Sequence, residues 1–305
     1  MHPTMTKREP QMTEIEWTDE TWTPLRARVK RDAALIAAQR SYTSLIPIAE
    51  KMAGRAGPHC EPNSEGCGNC YSETNNSRCL PSNGTGLPFD RRSRDLVDLF
   101  LDEHILTQPF GWKRPRRIFL CSQTDAFGEW VLEGWLDRIF EIMALTPSHT
   151  YQVLTKRPER MREYWLGKRP LPHVWLGTSI ENRKVLHRID ALRGTDARVR
   201  FLSVEPLLED IGALNLAGIH WVIVGGESGS GARPCSLTWL RNVAQQCRDA
   251  GVACFMKQWG AYALDECGYR VKLTGKGGRP DEWPSDLKIR EFPLPQCGTG
   301  SREAG

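Results

Sequence analysis

The sequence contains no apolar run that approaches the ~20 residues a membrane-spanning helix needs. Its N-terminus, MHPTMTKREPQMTEIEW, has no apolar core of the kind that a secretory signal carries. We therefore expect neither membrane association nor secretion, and we predict that the protein works in the cytoplasm.

A strong net charge is also missing, because 41 Lys and Arg side chains face 37 Asp and Glu, which gives +4 at pH 7. The protein is therefore not a polycation, although its positive charge is uneven. Clusters of basic residues can neutralise phosphate groups, and they can equally form a solvated basic face. The three clusters are Arg91, Arg92 and Arg94; Lys113, Arg114, Arg116 and Arg117; and Lys156, Arg157, Arg160 and Arg162.

The ten cysteines do not indicate a disulfide scaffold, because a reducing cytoplasm keeps thiols free. Six of them have no close partner in the sequence, and lone cysteines in apolar surroundings usually behave as small buried side chains. The other four lie close together, and such a density requires a metal explanation. These four are Cys60, Cys67, Cys70 and Cys79.

Short runs rich in β-branched and aromatic residues predict strands that are buried on both faces. Helical stretches fill the intervals between them, so the pattern is that of repeated βα units with a parallel sheet. The predicted fold class is α/β, with a full or partial (β/α) barrel of the TIM type. The runs are TEIEWTDETW (13–22), RIFLCS (117–122), TYQVLTK (150–156), HVWLGTSI (173–180), VRFLSVEPLL (199–208), WVIVGGESG (221–229) and ACFMKQWG (253–260).

Two of the intervening segments carry clear helix signals. The segment 236–251 begins with a serine cap and ends on Gly251. The segment 129–145 has a single apolar stripe. That stripe is formed by Val131, Trp135, Ile139 and Ile142.

The domain organisation follows from the same patterns. We predict a disordered N-terminus over residues 1–12 and a barrel domain over 13–262, with a helical insertion near 25–58. A C-terminal extension over 263–305 is rich in Gly, Pro and charge and lacks apolar periodicity, so we expect it to be largely irregular, with disorder from about Gly275.

The residues at the ends of the predicted strands are polar, although the strands themselves are apolar. In a (β/α) barrel the chemistry takes place at the C-terminal ends of the strands. We therefore predict a polar pocket at one mouth of the barrel. Its candidate residues are Ser122, Asp125, Thr155, Lys156, Arg157, Glu205, Gly225, Gly226, Glu227 and Lys257.

The cysteine segment has the spacing Cys60-x6-Cys67-x2-Cys70. Thiolates are soft ligands that suit zinc or iron–sulfur clusters. Three closely spaced cysteines can hold three irons of a 4Fe–4S cluster and leave the fourth iron open. Zinc in a structural site needs four protein ligands, and Cys79 would be the fourth. The usual second C-x-x-C is missing, but the spacing alone leaves both metals open.

Segments along most of the chain resemble a phage and prophage family that is catalogued as a domain of unknown function and assigned to the radical S-adenosylmethionine (SAM) superfamily. The similarity is colinear and spans roughly residues 13–262. The matching segments are IEWTDETWTP (15–24), GCGNCY (66–71), FDRRSRDL (89–96), IFLCSQTDAF (118–127), VLTKRPERM (153–161), VWLGTSIEN (174–182), RFLSVEPLL (200–208), WVIVGGESGSGARP (221–234) and FMKQWG (255–260).

The chain departs from this family in three places. Thr23 replaces an asparagine of the family's signature, and an insertion separates Pro24 from Cys60. The C-x6-C-x2-C spacing also differs from the C-x3-C-x2-C that is commonest among radical SAM enzymes.

The resemblance implies a barrel of the radical SAM type that carries a 4Fe–4S cluster on Cys60, Cys67 and Cys70 and binds SAM. It implies that Tyr71 lies on the adenine side of the cluster loop and that Gly225, Gly226 and Glu227 form a glycine-rich approach to SAM. Further SAM ligands would come from Ser122, Asp125, Thr155, Lys156 and Glu205, and substrate ligands from Arg157 and Lys257. A reductase or flavodoxin-type protein would supply the electron.

The phage context of the family implies a nucleic-acid substrate in the host cytoplasm. The expected reaction is isomerisation of a glycinyl-modified thymidine in DNA, from an N-linked to a C-linked form. A base in a duplex would have to be extruded to reach a barrel mouth. Two alternatives stay open: a radical SAM enzyme with another substrate, and a zinc-containing nucleic-acid-binding protein without catalysis.

Overall fold

The computed structural model of the chain describes residues 15–78 and 84–293. The predicted disordered segment 1–12 lies outside the described residues, and so does Cys79. The strands are β1 Glu20–Trp22, β2 Leu25–Val29, β3 Ala56–Gly57, β4 Val97–Leu101, β5 Arg117–Leu120, β6 Thr150–Thr155, β7 Val174–Ser179, β8 Arg200–Val204, β9 Trp221–Gly225, β10 Cys235–Ser236, β11 Ala253–Gln258, β12 Ala263–Leu264 and β13 Arg270–Val271. The helices are α1 Ala33–Gln39, α2 Ile46–Met52, α3 Tyr71–Ser77, α4 Arg91–Asp95, α5 Glu103–Leu106, α6 Glu133–Leu145, α7 Pro158–Trp165, α8 Arg188–Arg193 and α9 Leu237–Ala250.

One seven-stranded parallel sheet organises the molecule, in the order β1-β5-β6-β7-β8-β9-β11. Each of its strands corresponds to one of the seven predicted runs, so the α/β class and the parallel sheet are confirmed. The strands are mostly apolar because both of their faces are covered. In β9, for example, all five residues are buried.

The sheet is curled, and Trp17 shows how strongly. Strands β5 and β9 are four positions apart, which would separate them by roughly 19 Å in a flat sheet. The Trp17 ring nevertheless lies 4.6 Å from Phe119 on β5 and 6.1 Å from Trp221 on β9, measured between ring centroids. Within the described residues β1 and β11 do not pair. The sheet is therefore a half-barrel, filled at its core by an aromatic cluster, and the prediction of a partial barrel is the correct one.

Helices pack on the outside of this sheet. Helix α9 begins and ends as predicted: Ser236 accepts a hydrogen bond from the backbone N–H of Thr238, and Gly251 adopts a left-handed φ of +64°. Helix α6 begins only at Glu133, so Val131 precedes it and the predicted stripe is wrong in part. The buried face consists of Leu136, Ile139, Phe140 and Met143.

The insertion near 25–58 contains helices α1 and α2, but it also contributes strands. Strands β3, β2 and β4 form a separate antiparallel sheet, in which Leu25 pairs with Leu101 and Val29 with Val97. The alternating burial of LRARV is the period of a strand, because successive side chains point to opposite faces. This sheet and the two helices enclose a small core of their own.

The C-terminal extension packs against the half-barrel. Trp283 and Leu287 are buried in the main core, and the Trp221 indole donates a 2.8 Å hydrogen bond to the carbonyl of Glu291. The expected disorder from about Gly275 is therefore wrong for residues 275–293. Isolated apolar anchors hold this segment in place without any periodic pattern that the sequence would reveal. Among the described residues, no helix is long and apolar enough to cross a membrane.

Candidate functional site

The C-terminal ends of the half-barrel strands surround a cavity of about 240 Å³. Its apolar part is formed by Trp17, Phe119 and Leu154. Every candidate residue from the sequence lines this cavity except Gly225, which ends β9. The polar strand ends therefore do meet in one pocket. Gly226 is required there by close packing, because a Cβ at this position would lie 2.1 Å from the carbonyl oxygen of Trp259.

Residues 59–72, which we call the cysteine loop, lie across the mouth of this cavity. Its two ends are fastened to the segment that follows β5. The Thr124 hydroxyl donates to the carbonyl of His59, and the Tyr71 hydroxyl donates to the carbonyl of Ser122. The Ser72 hydroxyl donates to the carbonyl of Gln123 over 2.8 Å.

The middle of the cysteine loop is fastened to the segments that follow β6 and β7. Arg157 donates to the carbonyl of Glu61 over 3.2 Å. The Ser64 hydroxyl donates to Glu181 over 2.8 Å, and Gly66 packs so tightly that a Cβ there would lie 2.5 Å from the Glu181 side chain. Glu181 is completely buried and also binds Lys156 and Arg188. A buried carboxylate needs such partners, because an unpaired charge in the interior is costly.

A third set of contacts joins the loop to the segment after β9. The Asn69 amide, which lies between Cys67 and Cys70, donates to Glu227 over 2.9 Å and to the carbonyl of Gly231 over 2.8 Å. Arg233 donates to Glu227 over 2.6 Å and to the carbonyl of Glu65 over 2.9 Å. The segment after β9 therefore holds the cysteine loop through the side chains of Glu227 and Arg233.

Cys60, Cys67 and Cys70 are free thiols that all line the cavity. Burial raises the pKa of Cys60, and neighbouring Asp125 and Cys70 raise it further. Burial also raises the pKa of Cys70, while backbone N–H groups of Glu73 and Ser72 act to lower it. The backbone N–H of Asn63 lies 3.4 Å from the Cys67 sulfur. Buried thiols of this kind ionise readily only beside a positive charge, which a bound metal supplies.

These residues fit an iron–sulfur cluster. The three sulfurs are soft donors, they face one cavity, and N–H groups are directed at two of them, as is common around cluster sulfurs. Among the described residues, no three His, Cys, Asp or Glu side chains are grouped tightly enough to hold a single metal ion. A 4Fe–4S cluster does not require its three cysteine sulfurs to meet at one point, because each cysteine binds a separate iron.

Asp125 is fully occupied by groups of the protein. It accepts hydrogen bonds from the Thr155 hydroxyl over 2.6 Å, the Lys156 backbone N–H over 3.1 Å and the Arg157 guanidinium over 3.1 Å. Arg157 is buried and also lies 4.9 Å over the ring of Trp130. The expected SAM ligands Asp125 and Thr155 and the expected substrate ligand Arg157 are thus bound to one another.

Glu205 and Lys257 stand apart from this network. Their side chains form an ion pair at 2.5 Å between the ends of β8 and β11, and both line the cavity. Within the described residues, no further hydrogen bond reaches either side chain. Both side chains therefore keep hydrogen-bonding capacity that faces the cavity, as Lys156 does beside Glu181.

Glu181, Arg188, Asn69 and Arg233 were not among the residues predicted from the sequence. Glu181 had a weak signal, because it is the first charged residue after a predicted strand. Asn69 lies inside the cysteine segment but is not a metal ligand. Arg188 and Arg233 pair with nearby carboxylates and reach the cysteine loop only through the fold, which no sequence pattern reveals.

The basic clusters lie in different places. Arg116 and Arg117 are at the N-terminal end of β5, whereas the cavity is at the opposite end of that strand. Arg94 pairs with Glu61 of the cysteine loop at 2.8 Å. Lys156 and Arg157 line the cavity itself. Only the first and third clusters are therefore positioned to meet a ligand at the mouth.

Glu227 should make the stability of the protein depend on pH. Burial raises the pKa of Glu227, but hydrogen bonds from Arg233 and Asn69 outweigh burial and bring the pKa below its ordinary value of 4.5. The stabilisation from the charged form is therefore complete above pH 4.5 and is lost as the pH falls through the lower, folded value. We expect Glu227→Gln to reduce the free energy of unfolding at pH 7 and to reduce it progressively less below pH 4.5. Urea denaturation at several pH values measures this, and a difference that stays constant down to pH 3 would contradict it.

The fold and the site together define a class: an open α/β half-barrel with a cavity at its strand ends and a cysteine-bearing loop across the mouth. The chain belongs to the DUF5131 family, whose model matches residues 54–285 and is described as a protein of unknown function. No curated protein and no solved structure matches the chain significantly.

Proposed function

We propose that the protein is a radical SAM enzyme with a 4Fe–4S cluster on Cys60, Cys67 and Cys70. The observation that carries the proposal is the placement of these three free thiols on a loop across the cavity at the strand ends of a half-barrel. Three cysteine ligands would leave one iron of such a cluster without a protein ligand. When bound, the cluster supplies the electron that cleaves SAM and produces a 5′-deoxyadenosyl radical.

The role of the chain is to position the cluster and to keep water from it. The contacts of the cysteine loop with the segments after β5, β6, β7 and β9 fix the ligands in one geometry. The aromatic core beneath the cavity, with Trp17 and Phe119, closes it from below. Closure on that side would help to protect a reactive radical from side reactions.

For the substrate we propose a modified thymidine in DNA, isomerised at its glycinyl group from an N-linked to a C-linked form. Support comes from two basic side chains: exposed Arg91, whose charge acts on Glu61 of the cysteine loop, and Lys156 in the cavity wall. Such charges attract phosphates. A base would have to leave the duplex to reach the cavity. A reductase or flavodoxin-type protein would be the electron donor.

Anaerobic reconstitution with iron and sulfide tests the proposal. We expect the protein to take up about four irons per chain, as a 4Fe–4S cluster requires, and to release 5′-deoxyadenosine from SAM once it is reduced. Stoichiometric zinc without iron uptake would contradict the proposal and favour the zinc alternative. Mass analysis of nucleosides from DNA treated with enzyme and SAM then identifies the modified base.

A further inference from the structure

The wall of the cavity at β8 and β11 holds three polar side chains whose hydrogen-bonding capacity the protein uses only in part. Glu205 and Lys257 form an ion pair at 2.5 Å, with only 17% and 15% of their side chains exposed. Gln258 follows Lys257 directly and is 2% exposed. All three line the cavity.

Gln258 supplies the observation that points to a ligand. Its amide Nε2 donates to the carbonyl of Gly226 over 2.7 Å, which fixes the orientation of the amide. Its Oε1 is buried and has no hydrogen-bond partner among the described residues. A buried acceptor without a donor costs about 1–3 kcal/mol, so such groups are normally satisfied. A ligand in the cavity that donates an N–H to Oε1 would satisfy it.

The ion pair restricts the charge of that ligand. The Lys257 ammonium has three donors and the Glu205 carboxylate has about four acceptor positions, and one of each is used. A purely anionic ligand would bind Lys257 but would be repelled by Glu205. A purely cationic ligand would bind Glu205 but would be repelled by Lys257. Bringing a single charge into this wall would therefore leave one charge uncompensated, which is strongly unfavourable in a buried site.

A ligand that carries both charges avoids this cost. The ammonium and the carboxylate of an α-amino acid are attached to the same carbon, so they lie side by side, as Glu205 and Lys257 do. The ammonium can bind Glu205 and Gln258, while the carboxylate binds Lys257. We propose that Glu205, Lys257 and Gln258 form a binding site for an aminocarboxylate group.

The proposal deepens the proposed function, because it assigns these residues to the recognition of the substrate. In a radical SAM enzyme the methionine end of SAM binds the open iron at the cysteine loop. The aminocarboxylate on the β8–β11 wall is then that of the substrate. The methionine end of SAM has the same chemistry, so the experiment must separate the two sources.

Glycine is the probe, with methylammonium and acetate as ligands that each lack one of its charges. Ligand-observed NMR on the reconstituted protein gives dissociation constants with and without saturating SAM. We expect glycine to bind in the presence of SAM and at least about tenfold more tightly than either half-ligand, a factor of ten being about 1.4 kcal/mol. Equal binding of acetate or methylammonium, or no glycine binding at all, overturns the proposal.

Variants locate the site. Glu205→Gln and Lys257→Gln should each weaken glycine binding at least about tenfold, whereas Arg138→Gln, which breaks an exposed ion pair on α6, should not change it. If the single variants do not fold, the combined Glu205→Lys and Lys257→Glu exchange keeps a neutral pair and should still bind glycine. Unchanged glycine binding in both folded single variants overturns the assignment.

Two further outcomes decide which molecule supplies the aminocarboxylate and whether the site depends on the proposed radical SAM function. If SAM displaces glycine and Glu205→Gln weakens SAM binding, the assignment to the substrate is overturned and the site holds the methionine end of SAM. If the protein takes up no iron but still binds glycine at this pair, the proposed radical SAM function is refuted while the aminocarboxylate site is supported.

Discussion

Replacing Cys67 with alanine should abolish the uptake of the cluster and the cleavage of SAM. The Cys67 sulfur faces the cavity beside Cys60 and Cys70, and no other described cysteine is part of the loop. We expect 5′-deoxyadenosine formation to fall by more than about 100-fold, beyond the 10–100-fold typical of changes to groups that only surround a metal ligand. Iron analysis, the visible absorption of the brown cluster and product chromatography measure the effect.

Two other cysteines provide the matched controls. Cys267→Ala removes an exposed thiol that is not among the residues of the cavity, and it should leave iron content and SAM cleavage unchanged. Cys79→Ala distinguishes the two metals, because a zinc site needs four ligands and a cluster with an open iron needs three. A loss in Cys79→Ala as large as that in Cys67→Ala would therefore support zinc, and SAM cleavage that survives in Cys67→Ala would refute the cluster.

Glu181→Gln should destabilise the protein strongly. The Glu181 carboxylate is completely buried, and it compensates the charges of Lys156 and Arg188 while it accepts a hydrogen bond from Ser64. Glutamine has nearly the same shape, so the main change is the loss of the charge. Removing one partner from a buried ion pair costs about 3–5 kcal/mol, and we expect a loss of this size in the free energy of unfolding. Urea denaturation of the metal-free protein measures it.

Glu103→Gln is the control for this prediction. Glu103 pairs with Arg138 on the surface, where 62% and 49% of the two side chains are exposed. An exposed ion pair contributes little to stability, so this variant should be nearly as stable as the wild type. Equal stability of Glu181→Gln and Glu103→Gln would show that Glu181 does not hold the cysteine loop in the way the contacts indicate.

The two predictions concern the same part of the molecule. Glu181 binds Ser64 and packs against Gly66, which immediately precedes Cys67. A variant that loses the Glu181 charge should therefore also lose iron faster than the wild type when a chelator is added. This links the stability of the strand ends to the retention of the proposed cluster.

The architecture was largely predictable because it depends on local pattern. The runs that became β5 to β9 and β11 are mostly apolar, as strands of a parallel sheet covered on both faces usually are. Both ends of α9 were predictable too, because the capping residues Ser236 and Gly251 are local signals. Where the pattern was weak, prediction failed: α6 begins later than the apolar run, and Trp283 and Leu287 hold the extension in place without any periodicity.

The location of the candidate site was predictable, but the roles of its residues were not. Strand ends of a parallel sheet meet at one edge, so polar residues there had to surround one cavity. Which of them are available to a ligand depends on the partners that the fold places beside them. Arg157 binds Asp125, and Arg233 and Asn69 bind Glu227. These carboxylates therefore hold parts of the protein together and are not left free for a ligand.

The sequence by itself therefore determined the class of fold, the edge of the sheet that carries the cavity and the three cysteines that the loop presents, because periodicity and spacing are local properties of the chain. Only the tertiary structure decided that the cysteine loop lies across the cavity, that Glu181 anchors it, and that Glu205 and Lys257 are left with unused capacity. The reason is physical: the free energy of a buried charge depends on its neighbours in space, and most of these neighbours, Lys156 and Ser64 of Glu181 and Lys257 of Glu205, lie 25 to more than 100 positions away.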